Sequence, residues 1–412
     1  MFNVKKSKVR YNGKEIRASR KLLPIARLHG NHRDILLNAL SNVLDSPAAR
    51  TTYGQILDGV PLSDEVGDVY EGEVVCPGHP LLDEHLELSA DVLAKLDELR
   101  ASTPLDDFQV DATTIFEYQA ASPGSRAFQT RLIELVARTV HAIAIWIFNN
   151  YSPLRPKDDR LLTWRPDKDG SERIRKYFYR NGYPPTLFVH PWYKAYDQYP
   201  DGLADGVGYW AEDRIFGGVV LFDRRPQEGP DTIYRTSFPY DPVHLPKRAD
   251  AIYFHTNANG VTYRIYRLRD EQRQQLLQFL LSTAATSASP ITPSAVPSES
   301  FPTPCPLPIR GDEDNRVRID PEESVFDRGV YRDPWEHKPL VDGDTDHRWR
   351  DVQDTFNFVS EEEYHDAFQR AVQLRKRYYD EEVDEELLAR VAEENERRME
   401  EKYREDQNTD LS

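Results

Sequence analysis

Four side chains of a predicted β-hairpin, residues 251–268, have the types and spacing that best suit chemistry. The letters NANG at 257–260 are a hairpin signal between two runs rich in β-branched and aromatic residues. With a two- or four-residue turn, side-chain alternation places four residues on the face away from the core: Tyr253, His255, Arg264 and Tyr266. An imidazole, a guanidinium and two phenols on one face could bind a small anion or transfer protons. A half-solvated or helix-covered outer face is the competing interpretation. His190 and His244, each next to a proline, are candidates to join these residues in space.

The stretch DGVGYWAEDRIFGGVVLFDR, residues 205–224, contains the spacing Gly206-x-Gly208-x-x-Ala211 of a dinucleotide-binding fingerprint. That motif requires a strand before it and a helix N-terminus after it. Here a run rich in β-formers follows, so we interpret the match as coincidence.

The same stretch predicts the central strand of a sheet over residues 215–222, preceded by a turn at 205–208, because its apolar run is continuous. Asp213 and Asp223 flank that strand and would form local ion pairs at its two ends. They lie roughly 30 Å apart along an extended chain, which is too far for a pair of catalytic carboxylates.

Neither a metal nor a cofactor is predicted. Cys76, His79 and His85 match no zinc-binding spacing. The acidic segment 342–346 opens like a calcium loop, but His347 stands where that loop requires glycine.

Helices that begin near Asn31, Ser89 and Ser125, and one over 269–282, are predicted from apolar residues at helical spacing. The helix from Ser125 is apolar all round in its second half, as in a helix that passes through a core. His141 in that half is more consistent with a satisfied core histidine than with a catalytic base. Between 184 and 282 the pattern becomes strand-like, for instance in TLFVHPWY at 186–193 and TIYRTSF at 232–238. Helices followed by neighbouring strands predict an α+β fold, with a helical N-terminal half packed on a mainly antiparallel sheet.

Charge and composition divide the chain into four parts. Residues 1–30 carry nine Lys and Arg against one Glu, which predicts a basic arm. Residues 31–282 form the globular body. Residues 283–309, with seven prolines, read as a linker. Residues 310–412 read as an acidic tail with a long charged helix at about 360–405, since 301–412 holds 32 acidic and 17 basic residues.

The acidic balance argues against a broad nucleic-acid footprint. The longest candidate membrane span, 140–148, is far below the ~20 residues that a membrane helix needs. Two cysteines and no secretory signal indicate a reducing compartment, cytoplasmic or nuclear. The basic start could be a solvated arm, a nuclear signal or a mitochondrial presequence.

Two segments, GYWAEDRIFGGVVLFDR and AIYFHTNANGVTYRIYRL with the following QLLQFLLS, resemble a family of uncharacterised proteins from filamentous fungi, over roughly residues 125–282. The resemblance implies a fungal source, and it carries no catalytic residue over to this chain because the family has no established activity. Residue patterns therefore favour a soluble intracellular protein-interaction module whose C-terminal helix contacts a protein partner. The alternative is an enzyme or a small-anion binder that uses the hairpin face.

Overall fold

The computed structural model describes residues 3–11, 14–67, 75, 78–156, 159–165, 185–224, 251–257, 264–282, 304–312, 314–315, 318–319, 329–333, 335–336, 365 and 368–369, with only the backbone before residue 20 and at 318–319. The helices are α1 (Gly30–Leu44), α2 (Pro47–Asp58), α3 (Ser63–Gly67), α4 (Leu81–Glu84), α5 (Ala90–Ser102), α6 (Ala112–Ala120), α7 (Arg126–Asn150), α8 (Arg160–Thr163), α9 (Leu203–Phe216) and α10 (Asp270–Leu281). The strands are β1 (Asn3–Tyr11), β2 (Lys14–Pro24), β3 (Gln109–Asp111), β4 (Val219–Asp223), β5 (Ile252–His255), β6 (Ile265–Arg267), β7 (Arg318–Ile319) and β8 (Val330–Tyr331).

Helices pack on antiparallel sheets, which confirms the α+β class. One sheet has the order β1-β2-β3 and the other the order β7-β6-β5-β4-β8, and every described pairing is antiparallel. The main core lies between the helices and one face of the larger sheet, where Val220, Phe222 and Phe254 point inward. The other face of that sheet carries Val219 and Leu221 and is covered by a second, tyrosine-rich cluster.

Helix α7 runs through the main core as the sequence predicts. Ser125 is its N-cap, and the Ser125 hydroxyl accepts a hydrogen bond from the backbone N–H of Phe128 at 3.2 Å. Ser89 caps α5 in the same way, whereas α1 is capped by His29 rather than by Asn31. By length and composition α7 could cross a membrane, yet 72% of its apolar window is buried inside the protein.

The stretch 203–216 is a helix, not the turn and strand expected from its glycines. Helix α9 ends at Gly217, which has a φ of +93° and so supplies the left-handed residue that closes many helices. Inside the helix a Cβ on Gly206 would lie 2.4 Å from the ring of Tyr196, so that glycine allows close packing. Strand β4 begins only at Val219; it is buried throughout and lies between β5 and β8, which confirms an interior strand.

Two further predicted strands and the predicted tail helix are not seen as expected or lie largely outside the described residues. Residues 186–193 are irregular, with a turn at 191–192, rather than a strand, and 232–238 lie outside the described residues. Of the predicted tail helix, only 365, 368 and 369 are described, and these three are helical.

The body extends beyond both predicted boundaries. At the start, β2 pairs with β3 and carries Leu22 and Leu23, both buried, so residues 20–30 are not a solvated arm. At the other end, the backbone N–H of Ile309 donates to the carbonyl oxygen of Phe216 at 2.8 Å, and β8 adds a strand beside β4. The described residues 304–312, 329–333 and 335–336 are therefore part of the body, because their apolar residues and backbone groups complete the core and the sheet.

Candidate functional site

The ligand face predicted on the hairpin does not form, because the strand register is shifted by one residue from the expected one. His255 pairs with Ile265 and Phe254 with Tyr266, so an odd number of residues separates paired positions. A two- or four-residue turn leaves an even number of residues between paired positions, and a change of the strand register by one residue moves side chains to the other face. Tyr266 therefore lies in the main core with Phe254, while Tyr253 lies in the tyrosine-rich cluster on the opposite face.

Three of the four predicted residues are 1% exposed or less, and the fourth is half-buried: Tyr253, His255, Tyr266 and Arg264. Tyr266 donates its hydroxyl to the carbonyl oxygen of Ile309 at 3.3 Å. Nδ1 of His255 lies 3.2 Å from the hydroxyl of Tyr193. Both contacts are those of buried core residues and not of a ligand face.

His190 approaches the hairpin as expected, with its ring centre 5.6 Å from that of His255, whereas His244 lies outside the described residues. Nδ1 of His190 accepts the backbone N–H of Trp192 at 3.3 Å, so the ring proton belongs on Nε2, which faces Asp213 at 3.7 Å. A protonated Nε2 is not a metal ligand. Within the described part of the chain, no group of three or more His, Cys, Asp or Glu side chains could hold a metal ion.

The remaining sequence candidates have structural roles or lie outside the described residues. Nε2 of His85 lies 3.0 Å from a carboxylate oxygen of Asp58, and its Nδ1 lies 2.8 Å from the carbonyl oxygen of Pro61. Cys76 and the acidic segment 342–346 fall among the residues not described.

His141 is a buried histidine with both ring nitrogens in polar contact, which confirms the core histidine favoured by the sequence, and it lies at the centre of a charged network. Its Nδ1 lies 2.7 Å from Glu212 Oε1, and its Nε2 lies 3.2 Å from Asp205 Oδ1. The ring belongs to α7, and both carboxylates belong to α9, where a spacing of seven residues puts them two turns apart on one face. Gly208 lies between them; a Cβ there would sit 2.6 Å from Nε2, so the absence of a side chain lets the imidazole reach both acids.

Glu212 is held from its other side by an arginine that lies 120 residues away in the sequence. Nη1 of Arg332 donates to both Glu212 oxygens at 2.6 Å, and its Nε donates to Asp333 at 3.1 Å. Burial opposes the charge on Glu212, but Arg332 and His141 outweigh it and lower the pKa of that carboxyl below its usual value. Burial likewise opposes the charge on Arg332, yet Glu212 raises the pKa of its guanidinium.

The charged network continues along α7. Nη1 of Arg138 donates to Asp333 at 3.0 Å, and Arg20 of β2 pairs with the same carboxylate. Burial and the neighbouring arginine Arg138 lower the pKa of Arg20. Three elements that are distant in sequence are therefore joined by buried ion pairs around His141.

This network lines a cavity of about 50 Å³, which we call the inner cavity. Its walls include His141, Asp205 and three arginines of the network, and Trp335 lies among the apolar residues beside them. A volume of this size holds a few water molecules or a small polar group.

A surface groove of about 320 Å³, the outer groove, adjoins the inner cavity. The two share four lining residues: Leu22, Gln109, Ala142 and Ile145. Phe108 and Trp146 add an aromatic wall, their rings meeting edge to face with centres 5.9 Å apart. An apolar groove that ends at a polar, histidine-containing cavity has the general construction of a small-molecule site.

Comparison with known proteins adds no family or function to this geometry. No family model matches the sequence, and no curated protein and no solved structure matches it. The resemblance to fungal proteins stays a prediction.

Sequence reasoning missed this site for a definable reason. It assigned Asp205 to a turn and Glu212 to a strand end, so their common helical face was not considered. It placed Arg332 in the acidic tail, outside the predicted body. The one local signal is the spacing Asp205-x-x-Gly208-x-x-x-Glu212, which on a helix presents two acids around a gap of one side chain.

Proposed function

We propose that the protein binds a small molecule whose apolar body lies in the outer groove and whose polar head enters the inner cavity beside His141. The observation that carries the proposal is the adjacency of the two spaces, which share four lining residues. The groove has a volume within the range of about 300–1,000 Å³ that is usual for ligand pockets.

The head group that fits the inner cavity best is neutral and polar, such as an amide or a hydroxyl. Besides His141, the charged residues of its wall are three arginines and three aspartates: Arg20, Arg138, Arg332, Asp111, Asp205 and Asp333. Because these charges balance, an ion entering the cavity would lose its hydration without gaining a net opposite charge. A neutral group that donates and accepts hydrogen bonds has no such cost.

His141 holds the wall of the inner cavity and is not a proton-transfer group, because its two ring nitrogens lie within hydrogen-bond distance of Glu212 and Asp205 and neither is left to face a head group. The described residues that line the inner cavity include no Ser, Thr or Cys. This wall therefore supports binding through hydrogen bonds.

Four benzene derivatives that differ in their head group test the proposal: benzamide, benzyl alcohol, benzoate and benzylamine. Isothermal titration calorimetry with the full chain should show that the two neutral compounds bind and that the two ions bind at least about tenfold more weakly. Ala142 lines both spaces, and Ala142→Phe should abolish binding. Ala127→Phe, an exposed alanine on the same helix, is the matched control and should bind normally. The proposal fails if none of the four binds, if the ions bind as well as the neutral compounds, or if Ala142→Phe binds like the control.

A second proposal concerns a protein-binding role for the acidic C-terminal segment. Because the described residues 304–312, 329–333 and 335–336 pack into the body, we place the partner-binding segment after Glu336, where 337–412 holds 23 acidic and 12 basic residues. Truncation after Glu336, rather than at 310, keeps Arg332 in the core. Partners captured by the full chain and lost by that truncation would support the role, and identical partners for both would contradict it.

A further inference from the structure

The strands β1 and β2 turn the basic start of the chain into an antiparallel hairpin. β1 is the edge strand of the smaller sheet, and β2 pairs with β3 over residues 22–24. The remaining pairs of the hairpin, which join residues 4–11 to residues 14–21, therefore extend beyond β3. Their length is roughly 24 Å of extended chain.

The register of this hairpin collects basic residues on one face. Residues that pair directly across two antiparallel strands share a face, and so do residues two positions apart on one strand. One face therefore holds five Lys and Arg residues and one Glu among eight positions: Val4, Lys6, Lys8, Arg10, Glu15, Arg17, Ser19 and Lys21. We call it the basic face.

The basic face is the outer one where the hairpin leaves the body. On the opposite face Arg20 pairs with Asp333, and Leu22 is buried. Lys21, which belongs to the basic face, is exposed. The basic face enters the main core at Leu23, two residues further on.

Two cations lie directly opposite each other in this register. Lys8 of β1 pairs with Arg17 of β2, and Lys6 is two residues from Lys8 on the same face. Like charges directly opposite each other destabilise a pair of strands, whereas the neighbouring pair Arg10 and Glu15 combines opposite charges. The Lys8–Arg17 pairing therefore does not serve the stability of the hairpin. A ligand with closely spaced negative charges would remove its cost.

Double-stranded DNA is the ligand that matches this face in charge density and shape. It carries one phosphate charge per about 1.7 Å of its axis, and its major groove admits a two-stranded β-ribbon. The acidic segment 337–412 of the chain itself is far more dilute, since its 23 acidic residues are interspersed with 12 basic ones. A membrane surface is also a poorer match, because interfacial binding relies on large apolar residues beside the basic ones, and Val4 is the one apolar residue of the basic face.

The net charge of −17 acts weakly on such a contact. Salt screens exposed charges over about 8 Å at physiological ionic strength. The hairpin extends roughly three times that distance from β3. A footprint confined to the hairpin is also much smaller than the broad one that the acidic balance of the chain argues against.

We propose that the basic face binds the phosphate backbone of double-stranded DNA without sequence preference, through Lys6, Lys8 and Arg17. Contacts to phosphates position a protein on a duplex and carry no sequence information. The proposal is independent of the function proposed for the outer groove and the inner cavity.

Fluorescence anisotropy of a labelled duplex of about 20 base pairs, titrated with the full chain between about 50 and about 200 mM salt, measures this contact. The logarithm of the association constant should fall against that of the salt concentration with a slope between about −2.7 and about −4.5, for three to five phosphate contacts. Lys6→Gln/Lys8→Gln should reduce the magnitude of the slope by about 1.8 and weaken binding at least about tenfold at about 100 mM salt. Lys5→Gln/Lys14→Gln removes the same charge from the opposite face of the hairpin. This matched control should keep the slope within about 0.5 of the wild type.

Thermal melts without DNA show whether the variants fold. Because Lys8→Gln removes a pair of like charges, the basic-face variant should melt no lower than the wild type. If it does melt lower, Arg17→Gln replaces it in the titration, with an expected change in slope of about 0.9.

The proposal is overturned if the duplex does not bind at about 50 mM salt, or if the control changes the slope as much as the basic-face variant. It is also overturned if poly-glutamate or phosphatidylserine vesicles displace the duplex at equal concentration of charge. Either displacement would assign the basic face to an acidic polypeptide or to a lipid headgroup.

Discussion

Replacement of Arg332 by methionine tests the most consequential feature of the fold, the insertion of a C-terminal residue into the centre of the body. Arg332 is 3% exposed and Glu212 is fully buried, and the pair makes two contacts of 2.6 Å. Arg332→Met keeps an apolar chain of similar length but leaves the Glu212 carboxylate buried without its cation. Breaking a buried pair from one side costs about 3–5 kcal/mol. That is a large part of the roughly 5–15 kcal/mol by which a typical protein is stable.

Urea denaturation followed by far-ultraviolet circular dichroism measures this loss. Arg310→Met, an exposed arginine of the same C-terminal segment, is the matched control and should change the free energy of unfolding by no more than about 0.5 kcal/mol. The double variant Arg332→Met/Glu212→Gln should recover part of the loss, because a neutral amide replaces the uncompensated charge. If Arg332→Met stays within about 1 kcal/mol of the wild type, residue 332 does not belong to the core and the end of the body predicted at residue 282 is right.

Three further outcomes follow from buried charges and one close backbone contact. A Cβ at Gly217 would meet the Ile309 carbonyl oxygen, and the φ angle of Gly217 is positive, so Gly217→Ala should lower the free energy of unfolding by at least about 2 kcal/mol. Gly30 has open space around it, so Gly30→Ala should lower the free energy of unfolding by only about 1 kcal/mol. Equal losses for the two variants in urea melts would contradict this reasoning. Burial raises the pKa of Glu336 from 4.5 to about 7, so ionisation of Glu336 destabilises the fold as the pH rises through that window. The free energy of unfolding of Glu336→Gln should therefore rise by about 3 kcal/mol relative to that of the wild type between pH 5 and pH 8. A difference that does not change with pH would refute the assignment. The pH dependence of Glu134 has the opposite sign, because burial opposes its charge but Arg224, Arg138 and Arg131 lower its pKa. The greater stability of the wild type relative to Glu134→Gln should be complete above about pH 4.5 and should shrink as the pH falls toward 3. Thermal melts of both proteins at about pH 3 and above about pH 4.5 measure this difference.

Local sequence patterns predicted the structure correctly wherever the deciding interaction joins residues a few positions apart. Ser89 and Ser125 begin helices because a serine hydroxyl accepts from a backbone N–H three residues later, and that partner is fixed by the sequence itself. The core passage of α7 follows from its apolar residues on all sides. The strand-like residues 252–255 pair as strands for the same local reason.

The prediction failed where two glycines had competing meanings. Gly206 and Gly208 suggested a turn, but each is a small residue that lets another ring approach α9. Propensity alone cannot distinguish a glycine of a turn from a glycine that allows close packing on a helix. The difference depends on the side chain that fills the space beside it, which is Tyr196 at Gly206 and His141 at Gly208.

The sequence by itself determined the α+β class, the helices α1, α5, α7 and α10 and an interior strand in 219–223, since these depend on the periodicity and capping of contiguous residues. Only the tertiary structure decided the helix α9, the register of the hairpin, the membership of residues 20–30, 304–312 and 329–333 in the body, and the site around His141. Register depends on whether an odd or even number of residues separates the strands, and the buried pairs join residues as far apart as His141, Glu212 and Arg332. The sequence does not show which distant charged residues form an ion pair, because burial and pairing are properties of the folded chain.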